Sequence, residues 1–551
     1  MASLNAITGQ LGLKNAAHFL RRATFGPTRT TIDEFASKTV TEALADIMQV
    51  LPVPDPPVDP KTGEHWLPKP VEDVNSGDDS LFEYFKGWFM EQMRTTGMNI
   101  TEKMTFFWHA FLPADHTLIM NSTSLYNQNA LYRQYAIGNV KELLTKVCVD
   151  NAMLKYIDNT LNDKDSPNEN FAREFMELYT IGKGPQVGPE DYTNYTEDDV
   201  KQAARVLTGV KHNFDFDTID PDTTLPRGKV TLDGLQASRH DPGQKTFTDK
   251  FNNTVIEPDP AMMIDGMATE EGFFDELSSF VDMIYEQEET SKFFCRKLYR
   301  FFVYYKITEE IEDDIIAPLA ATLRNNNFEV KPVLEQLFSS EHFYDINNSA
   351  TTEDNIGALI KSPMDLTMGT FRFFNLSMPT DYNDLYHVAY GQGISRLLTN
   401  QVMDFYTPID VAGYPPYHQV PAYNRNWISP NSLAQRYNLS NELINGKENE
   451  SSVMLYQLDI VEYVENTANI SDASNPTTLV KELTDYMFTQ TIPQDRFDYF
   501  VNDVLLDTLM PEEWTEEWND YVNGITDDAA VRSQLERLLN SIVQTPEYQL
   551  F

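Results

Sequence analysis

Apolar residues recur at three- and four-residue spacing along most of this chain, and this pattern constrains its fold more than any other feature. The spacing places apolar side chains on one face of an α-helix. Helix starts are marked too: Ser-Pro-Asn-Glu from Ser166 predicts a capping box with proline at the first helical position, and Thr-Glu-Asp-Asp from Thr196 predicts a similar acidic helix start. The sequence predicts a mainly α, multi-helical globular array, with helix above about 45% and strand under about 10%.

Three segments interrupt the helical pattern. Residues 51–80 contain seven prolines, 209–262 combine Pro, Gly and Asp with short strand-like pieces, and 407–430 are rich in Pro and Tyr. The first predicts an extended connector, the second a small irregular or β-hairpin insertion, and the third a long ordered loop. We therefore expect N-terminal helices over 1–50, the connector over 51–80, a helical core over 81–208, the insertion over 209–262, and a C-terminal helical region over 263–551 packed on the same core.

Composition excludes several classes of protein. The 84 acidic against 42 basic side chains give a formal charge of −42, which disfavours nucleic acid and anionic membranes as partners. No apolar stretch is long enough for a membrane span. The two cysteines, Cys148 and Cys295, are too few for a disulfide framework or a cysteine zinc site. We expect a soluble, acidic protein with a large core.

The first 25 residues contain no apolar run of signal-peptide length. A cytoplasmic location is therefore favoured, and export without a visible signal peptide stays open.

Five short segments carry a resemblance to a family. In chain order they are His-Phe-Leu-Arg-Arg-Ala-Thr-Phe-Gly-Pro from His18, Met-Thr-Phe-Phe-Trp-His from Met104, Asn-Glu-Asn-Phe-Ala-Arg-Glu-Phe-Met-Glu-Leu from Asn168, Tyr-Thr-Glu-Asp-Asp-Val from Tyr195 running into Ala-Ala-Arg-Val-Leu-Thr-Gly from Ala203, and His-Asp-Pro-Gly-Gln-Lys from His240. Together they resemble the bacterial family catalogued as domain of unknown function 1800, from about residue 15 to the C-terminal Pro-Glu-Tyr-Gln.

The resemblance implies no settled activity. Members of the family often sit beside genes for a sulfatase-like family, which implies a shared pathway or a complex with such a protein. The family also tends to carry a His three residues after the Trp of the second segment, where this chain has Phe111. A site that depends on that second His is not expected here.

The densest polar constellation lies on the helix predicted over 166–181. Glu169, Arg173 and Glu177 are four residues apart and share one helix face, with Glu174 beside them. One interpretation makes Glu169 and Glu174 metal ligands or an acid–base pair, with Arg173 clamping an anion. The other makes them a structural ion-pair network around a buried Arg173, whose loss costs several kcal/mol.

The segment from His240 lies in the irregular region, where functional groups concentrate. In a functional interpretation His240 is a base or metal ligand, Asp241 a second ligand, and Lys245 a charge stabiliser brought back by the Pro-Gly turn. In a structural interpretation Asp241 caps a backbone amide within the turn. Arg21 and Arg22 also have two interpretations. They bind an anion, or they form ion pairs that join the first helix to acidic neighbours.

Two functions follow from these residues together with the family resemblance, which alone implies the sulfatase-like partner. We favour a non-catalytic partner or scaffold acting with a sulfatase-like protein or in a larger assembly, with the 407–430 aromatics as its contact surface. The alternative is a metal-dependent or acid–base hydrolase with its site between helix 166–181 and the His240 loop. Its catalytic candidates are His240, Asp241, Glu174 and Lys245; its metal candidates are Glu169, Glu174, Asp241 and His240, and this oxygen-rich set favours Mg²⁺, Mn²⁺ or Ca²⁺.

Overall fold

The computed structural model describes residues 2–67, 77–346 and 359–551. Helices make up 56% of these residues and strands form only short pairs, so the predicted mainly α fold is confirmed. Part of the predicted proline-rich connector, 68–76, lies outside the described residues. Within the described ranges no helix has the length and apolar character needed to cross a membrane.

The helices alternate with short turns from the N-terminus onward. Up to residue 346 the α-helices are Gly12–Ala23, Arg29–Ala36, Val40–Ile47, Asp78–Thr95, Thr101–Phe111, His116–Ile119, Ser122–Gln134, Val140–Val147, Asn151–Tyr156, Glu169–Glu174, Glu197–Val206, Glu270–Glu286, Glu288–Phe302, Glu309–Ile311, Ala317–Asn325 and Val330–Ser339. From residue 359 they are Pro363–Phe373, Arg396–Asn400, Pro415–His418, Pro430–Tyr437, Leu439–Asn445, Ile460–Glu465, Pro476–Met487, Gln494–Asp498, Pro511–Val522, Ala529–Val543 and Pro546–Gln549.

Two further kinds of helix occur. The π-helical segments are Phe175–Thr180, Glu312–Ile316, Asn383–Ser395 and Tyr499–Leu506. The 3₁₀ turns are Asn159–Leu161, Asp249–Phe251, Pro260–Met262 and Tyr423–Trp427. π-Helical turns are rare and often occur at functional sites, and the first of the four begins within the third family segment.

The strands form isolated antiparallel pairs and no larger sheet among the described residues. The pairs are Val58–Asp59 with Glu64–His65, Gln186–Gly188 with Asp191–Tyr192, Val210–Lys211 with Lys229–Val230, Leu232–Asp233 with Gln236–Ala237, Lys245–Thr246 with Val255–Ile256, Met263–Ile264 with Met267–Ala268, and Lys447–Glu448 with Met454–Tyr456. Three of the pairs fall inside 209–262, which is irregular with short hairpins, and the others are spread along the chain.

Buried apolar side chains gather in two clusters. The first draws on the N-terminal helices and on most of 131–344, and the second on most of 81–130 and 364–548. The helix Thr101–Phe111 contributes to both, because Phe107 packs in the first cluster and Phe106 in the second. The predicted division into five regions stays a prediction.

The first family segment ends in a turn that brings two parts of the chain into contact. Gly26 has a φ of +99°, and a Cβ atom there would lie 3.1 Å from the Cα of Gly369. The helix Pro363–Phe373 therefore packs directly on this turn, and Arg372 donates a hydrogen bond from Nε to the carbonyl of Gly26 at 2.7 Å. Only glycine meets both the backbone angle and the close approach.

We expect Gly26→Ala to destabilise the protein by about 2 kcal/mol or more, because it adds a steric conflict to the cost of a left-handed backbone. Gly9→Ala is the matched control: Gly9 has a φ of +84°, but a Cβ atom there would meet no other atom within 4 Å. It should lose only about 1 kcal/mol. Urea unfolding of both variants measures the difference, and equal losses would contradict the packing argument.

Candidate functional site

The third family segment forms a helix that changes its winding halfway. Asn168 caps it, since its side chain accepts from the amide of Asn170, and Glu169–Glu174 is α-helical. The chain then continues as the π-helical segment Phe175–Thr180, whose apolar side chains Phe175 and Met176 are buried. The capping box predicted from Ser166 is therefore wrong, because Asn168 caps the helix instead and the helix begins two residues after the proline. Its winding changes directly after Glu174.

The predicted ladder on this helix forms, but it lies near the surface. Arg173 donates from Nη2 to Glu169 at 3.1 Å and from Nη1 to Glu197 at 2.7 Å. Its side chain is 30% exposed, so the predicted burial of Arg173 is wrong, whereas its pairing is present. Burial would lower the pKa of Arg173, but the hydrogen bond to Glu197 and the charges of Glu197 and Glu169 together raise it overall. Arg173 therefore joins its own helix to Glu197–Val206.

Glu174 is the exception among the charged residues of the five segments. All of these residues lie in the described part of the chain, and Glu174 alone has neither a hydrogen bond nor an ion pair to another side chain or to the backbone. It is partly buried, and that burial, with the nearby carboxylates of Glu177 and Asp410, raises its pKa. A carboxyl group that keeps its proton closer to neutral pH can serve as a general acid.

The loop after residue 404 faces this glutamate. Tyr156 donates from its hydroxyl to the carbonyl of Asp410 at 3.3 Å, and Tyr179 donates to the carbonyl of Val411 at 3.5 Å. Burial raises the pKa of Tyr156, and the charges of Asp410 and Glu174 add to the shift. The loop is therefore held against the helices Asn151–Tyr156 and Phe175–Thr180.

The same loop carries a histidine–carboxylate pair. Nε2 of His418 lies 3.5 Å from Oδ1 of Asp410, and their side chains are 19% and 49% exposed. The Nε2 atom itself is buried and has no hydrogen-bond partner among the described residues. Burial lowers the pKa of His418, an effect that Asp410 opposes and Lys297 strengthens. The imidazole is therefore neutral near pH 7 and able to accept a proton.

Lys297 completes the cluster from the helix Glu288–Phe302. Its Nζ lies 5.3 Å from the ring centre of Phe111 and 5.2 Å from that of Phe293. Burial in this aromatic setting, with Arg300 close by, lowers the pKa of Lys297 to about 8. We call Tyr156, Glu174, Lys297, Asp410 and His418 the Glu174 site.

A small pocket opens beside Lys297 and His418. Phe111, Arg300 and Tyr417 also line it, and its cavity volume is about 20 Å³, which is room for about one water molecule. Phe111, three residues after Trp108 of the second family segment, thus forms an aromatic wall of this pocket.

The residues of the fifth family segment contact side chains that do not belong to the Glu174 site. His240 and Lys245 are fully buried and both bond to Glu276, a buried carboxylate on the helix Glu270–Glu286. Nε2 of His240 lies 3.2 Å from Oε1 of Glu276, and Nδ1 lies 3.1 Å from the carbonyl of Thr208. Burial lowers the pKa of Lys245, and Glu276 opposes this shift.

Asp241 is held by the neighbouring helix. Arg205 donates from Nε to Oδ2 of Asp241 at 2.7 Å, and the amide of Gly243 donates to Oδ1 at 2.7 Å. Burial would raise the pKa of Asp241, but the hydrogen bonds from Arg205 and Gly243 lower it overall. Lys245 returns through the turn and donates to the carbonyl of Asp241 at 2.6 Å. We call Arg205, His240, Asp241, Lys245 and Glu276 the Glu276 brace.

The four residues predicted to bind a metal ion have different partners in the structure. Glu169 bonds to Arg173, Asp241 to Arg205, and His240 to Glu276, while Glu174 faces the loop at Asp410. Across the described ranges, no group of three or more His, Cys, Asp and Glu side chains could hold a metal ion. The structure therefore gives no support to Mg²⁺, Mn²⁺ or Ca²⁺ at Glu169, Glu174, Asp241 and His240.

Arg21 and Arg22 are buried and bond to backbone carbonyls. Arg22 donates from Nη1 to Phe302 and Val303, and Arg21 donates from Nη2 to Tyr486. Burial lowers the pKa of Arg21 to about 10 and that of Arg22 to about 9. Both side chains thus join the first helix to helix ends in distant parts of the chain.

The 407–430 loop is ordered, as its aromatic content predicts, but it turns its aromatic side chains inward. Tyr414 and Trp427 are buried, and Tyr417 is partly buried. The large apolar residues that it exposes are Ile409 and Val420. The aromatics expected to form a contact surface instead hold the loop on the core.

The fold and these contacts define the class: a mainly α protein in which ion pairs join the third, fourth and fifth family segments, through Arg173 with Glu197 and Arg205 with Asp241. The model of a family described as Protein of unknown function (DUF1800) matches residues 18–550, and the chain belongs to this family. No curated protein and no solved structure matches the chain.

Sequence reasoning missed Lys297, Asp410, His418 and Glu276. Three of them contact the site from elements more than 100 residues away from the third segment, and none lies in a recognisable motif. The aromatic content of 407–430 was the one sequence feature that pointed to these residues, because it indicates that the loop packs against the rest of the protein.

We expect Lys245→Met to cost about 3–5 kcal/mol, because it removes one partner of a fully buried carboxylate. The double variant Lys245→Met/Glu276→Gln should recover most of this loss, since no uncompensated charge remains. Arg173→Ala is the matched control from a partly exposed pair and should cost about 1 kcal/mol or less. Urea unfolding compares them, and equal losses for the two single variants would show that burial does not set the difference.

Proposed function

We propose that the protein is an acid–base hydrolase that acts at the Glu174 site. The observation that carries the proposal is the isolation of Glu174: every other charged residue of the five family segments has an intramolecular partner. A partly buried carboxyl group with a raised pKa lies near Asp410, which pairs with His418, and the charge of partly buried Lys297 acts on that histidine; such a set of perturbed groups is typical of catalytic sites.

The groups suit a hydrolytic step. Neutral His418 accepts a proton at Nε2 from water, while the water oxygen forms a bond to an electrophilic centre of the substrate. The bond from that centre to the leaving group breaks, and protonated Glu174 donates its proton to the departing atom. His418 then loses its proton to solvent and Glu174 regains one, so protons balance over a turnover.

The cations beside the pocket indicate the substrate class. Lys297 and Arg300 line the pocket with His418, and a lysine with a pKa of about 8 is still mostly charged at pH 7. Positive charge in an aromatic, poorly solvated setting stabilises a negative group strongly. We therefore propose an ester with an anionic or developing anionic centre as substrate.

The proposed site lies elsewhere than the hydrolase site expected from the sequence, which was between helix 166–181 and the His240 loop. Glu174 stays as a catalytic residue, whereas His240, Asp241 and Lys245 belong to the Glu276 brace. The proposed chemistry assigns no step to a metal ion.

The test is turnover of 4-nitrophenyl esters of carboxylic, phosphoric and sulfuric acid. We expect Glu174→Gln and His418→Gln to lower kcat/KM at least about 100-fold, because each removes one proton-transfer group. Glu169→Gln is the matched control, since Glu169 lies on the same helix and pairs only with Arg173. Absence of turnover for the whole panel, or equal rates for Glu174→Gln and Glu169→Gln, would contradict the proposal.

A second function, that of a non-catalytic partner of a sulfatase-like protein, is favoured by a different observation. Two open surface grooves, with volumes of about 500 and 710 Å³, meet at Thr28 and Asn375. Thr28 follows directly after the first family segment, whose arginines serve packing and carry out no chemistry. A groove of this size beside a structural motif suits contact with another protein.

Mixing the chain with a sulfatase-like protein, of the kind whose genes neighbour those of the family, tests this second function. Light scattering after size exclusion should show a joint mass if the partner hypothesis holds. Asn375→Arg should weaken the complex by placing a large charge where the grooves meet, whereas an exposed substitution far from them, Lys481→Glu, should not. If neither substitution weakens the complex, the contact lies elsewhere, and the hypothesis that these grooves bind the partner is contradicted.

A further inference from the structure

Three cations are buried together near the first helix. Arg21, Lys361 and Arg436 are each less than 10% exposed, although they come from three distant parts of the chain. Arg21 and Arg436 each lower the pKa of Lys361, in addition to the larger effect of its burial, so their charges act on one another. The chain has a formal charge of −42, yet here positive charge is concentrated in the interior.

These three cations donate their hydrogen bonds to uncharged oxygen atoms. Lys361 donates from Nζ to the carbonyl of Tyr548 at 2.6 Å, and Arg21 donates to the carbonyl of Tyr486. Arg436 donates from Nε to Oε1 of Gln549 at 2.8 Å and from Nη2 to the carbonyl of Lys361 at 2.9 Å. In the described part of the chain, none of the three has a carboxylate within ion-pair distance.

Asp365, a buried carboxylate that lines the same region, already has a cationic partner. Asp365 forms an ion pair with buried Lys103 and accepts a hydrogen bond from the hydroxyl of Ser362 at 2.7 Å. Asp365 raises the pKa of Arg436, but burial dominates and lowers that pKa to about 9. Asp365 therefore pairs directly with Lys103, and it acts on Lys361 and Arg436 only from beyond ion-pair distance.

A cavity lies among these groups. Arg21, Lys361, Asp365, Thr370 and Tyr548 line it, and its volume is about 30 Å³. One water needs about 10–15 Å³ by this measure, so the space fits about two waters or one small oxyanion. Within the described residues, Nη1 of Arg21 is buried without a hydrogen-bond partner. An unpaired guanidinium N–H in the interior costs free energy unless an acceptor occupies the site.

We propose that this cavity, lined by Arg21 and Lys361 and backed by Arg436, binds a small oxyanion of the sulfate, phosphate or carboxylate class. The anion would accept from Nη1 of Arg21 and from the two remaining N–H groups of Lys361. It would also offset the mutual repulsion of three buried cations, so its binding stabilises the fold. This site is separate from the Glu174 site, and either proposal can fail without the other.

Isothermal titration of the full chain with sodium sulfate, sodium phosphate and sodium formate tests this inference, at constant ionic strength set with sodium chloride. We expect saturable binding of at least one of them, and the three arms distinguish a tetrahedral dianion from a planar carboxylate. The melting temperature should rise with the same anion, because ligand that binds only the native state stabilises it.

Two variants locate the site. Lys361→Met and Arg21→Gln should each weaken the binding of that anion at least 10-fold, because each removes a charge and a donor that line the cavity. Lys481→Met, which removes an exposed lysine, should leave the affinity unchanged. Circular dichroism shows whether each variant is folded. The titration of the wild-type chain tests the inference even if a variant does not fold. Absence of saturable binding to the wild-type chain, or unchanged affinity in folded Lys361→Met, would overturn the inference.

Discussion

The first helix, Gly12–Ala23, holds the structure together through two buried guanidinium groups. Arg22 donates to the carbonyls of Phe302 and Val303, at the end of the helix Glu288–Phe302, and Arg21 donates to Tyr486 near the end of Pro476–Met487. The last carbonyls of a helix lack partners within the helix and carry partial negative charge. One short helix therefore satisfies the ends of two long-range elements, one from each apolar cluster, and both the Glu174 site and the oxyanion cavity lie against elements fixed in this way.

Features set by residues close in sequence were predictable. The predicted acidic helix start at Thr196 is present and forms a capping box with Asp199, and Arg173 reaches Glu169 one turn away. The Pro-Gly turn brings Lys245 back to the carboxylate of Glu276, which His240 also contacts. Each depends on backbone geometry over fewer than six residues, which a sequence pattern specifies directly. The structural interpretation of Asp241, a carboxylate that caps a backbone amide, describes its bond to Gly243.

The partners of the site residues were not predictable, because they depend on tertiary packing. No local pattern connects His240 to Glu276, or Glu174 to the loop at Asp410. The helix Ser122–Gln134 shows the difficulty clearly: it is rich in Ser, Asn and Gln, yet its residues from Ser122 to Arg133 are all buried. A polar helix is typical of a protein surface, and only its neighbours, such as Glu102 against Arg133, reveal that it lies inside. Burial of Arg173 was overestimated for the same reason.

Charge separation links the two proposed sites. Acidic side chains outnumber basic ones by two to one, yet Arg21, Lys361 and Arg436 are buried and Lys297 is partly buried. None of the four forms an ion pair among the described residues. An approaching anion therefore meets repulsion outside and attraction inside. Salt screens exposed charges within about 8 Å at physiological strength, whereas buried charges are screened much less. Moderate salt should thus weaken the external repulsion more than the internal attraction, so selection of an anion depends on the short-range fit to Arg21 and Lys361, or to Lys297, and not on the net charge of the protein.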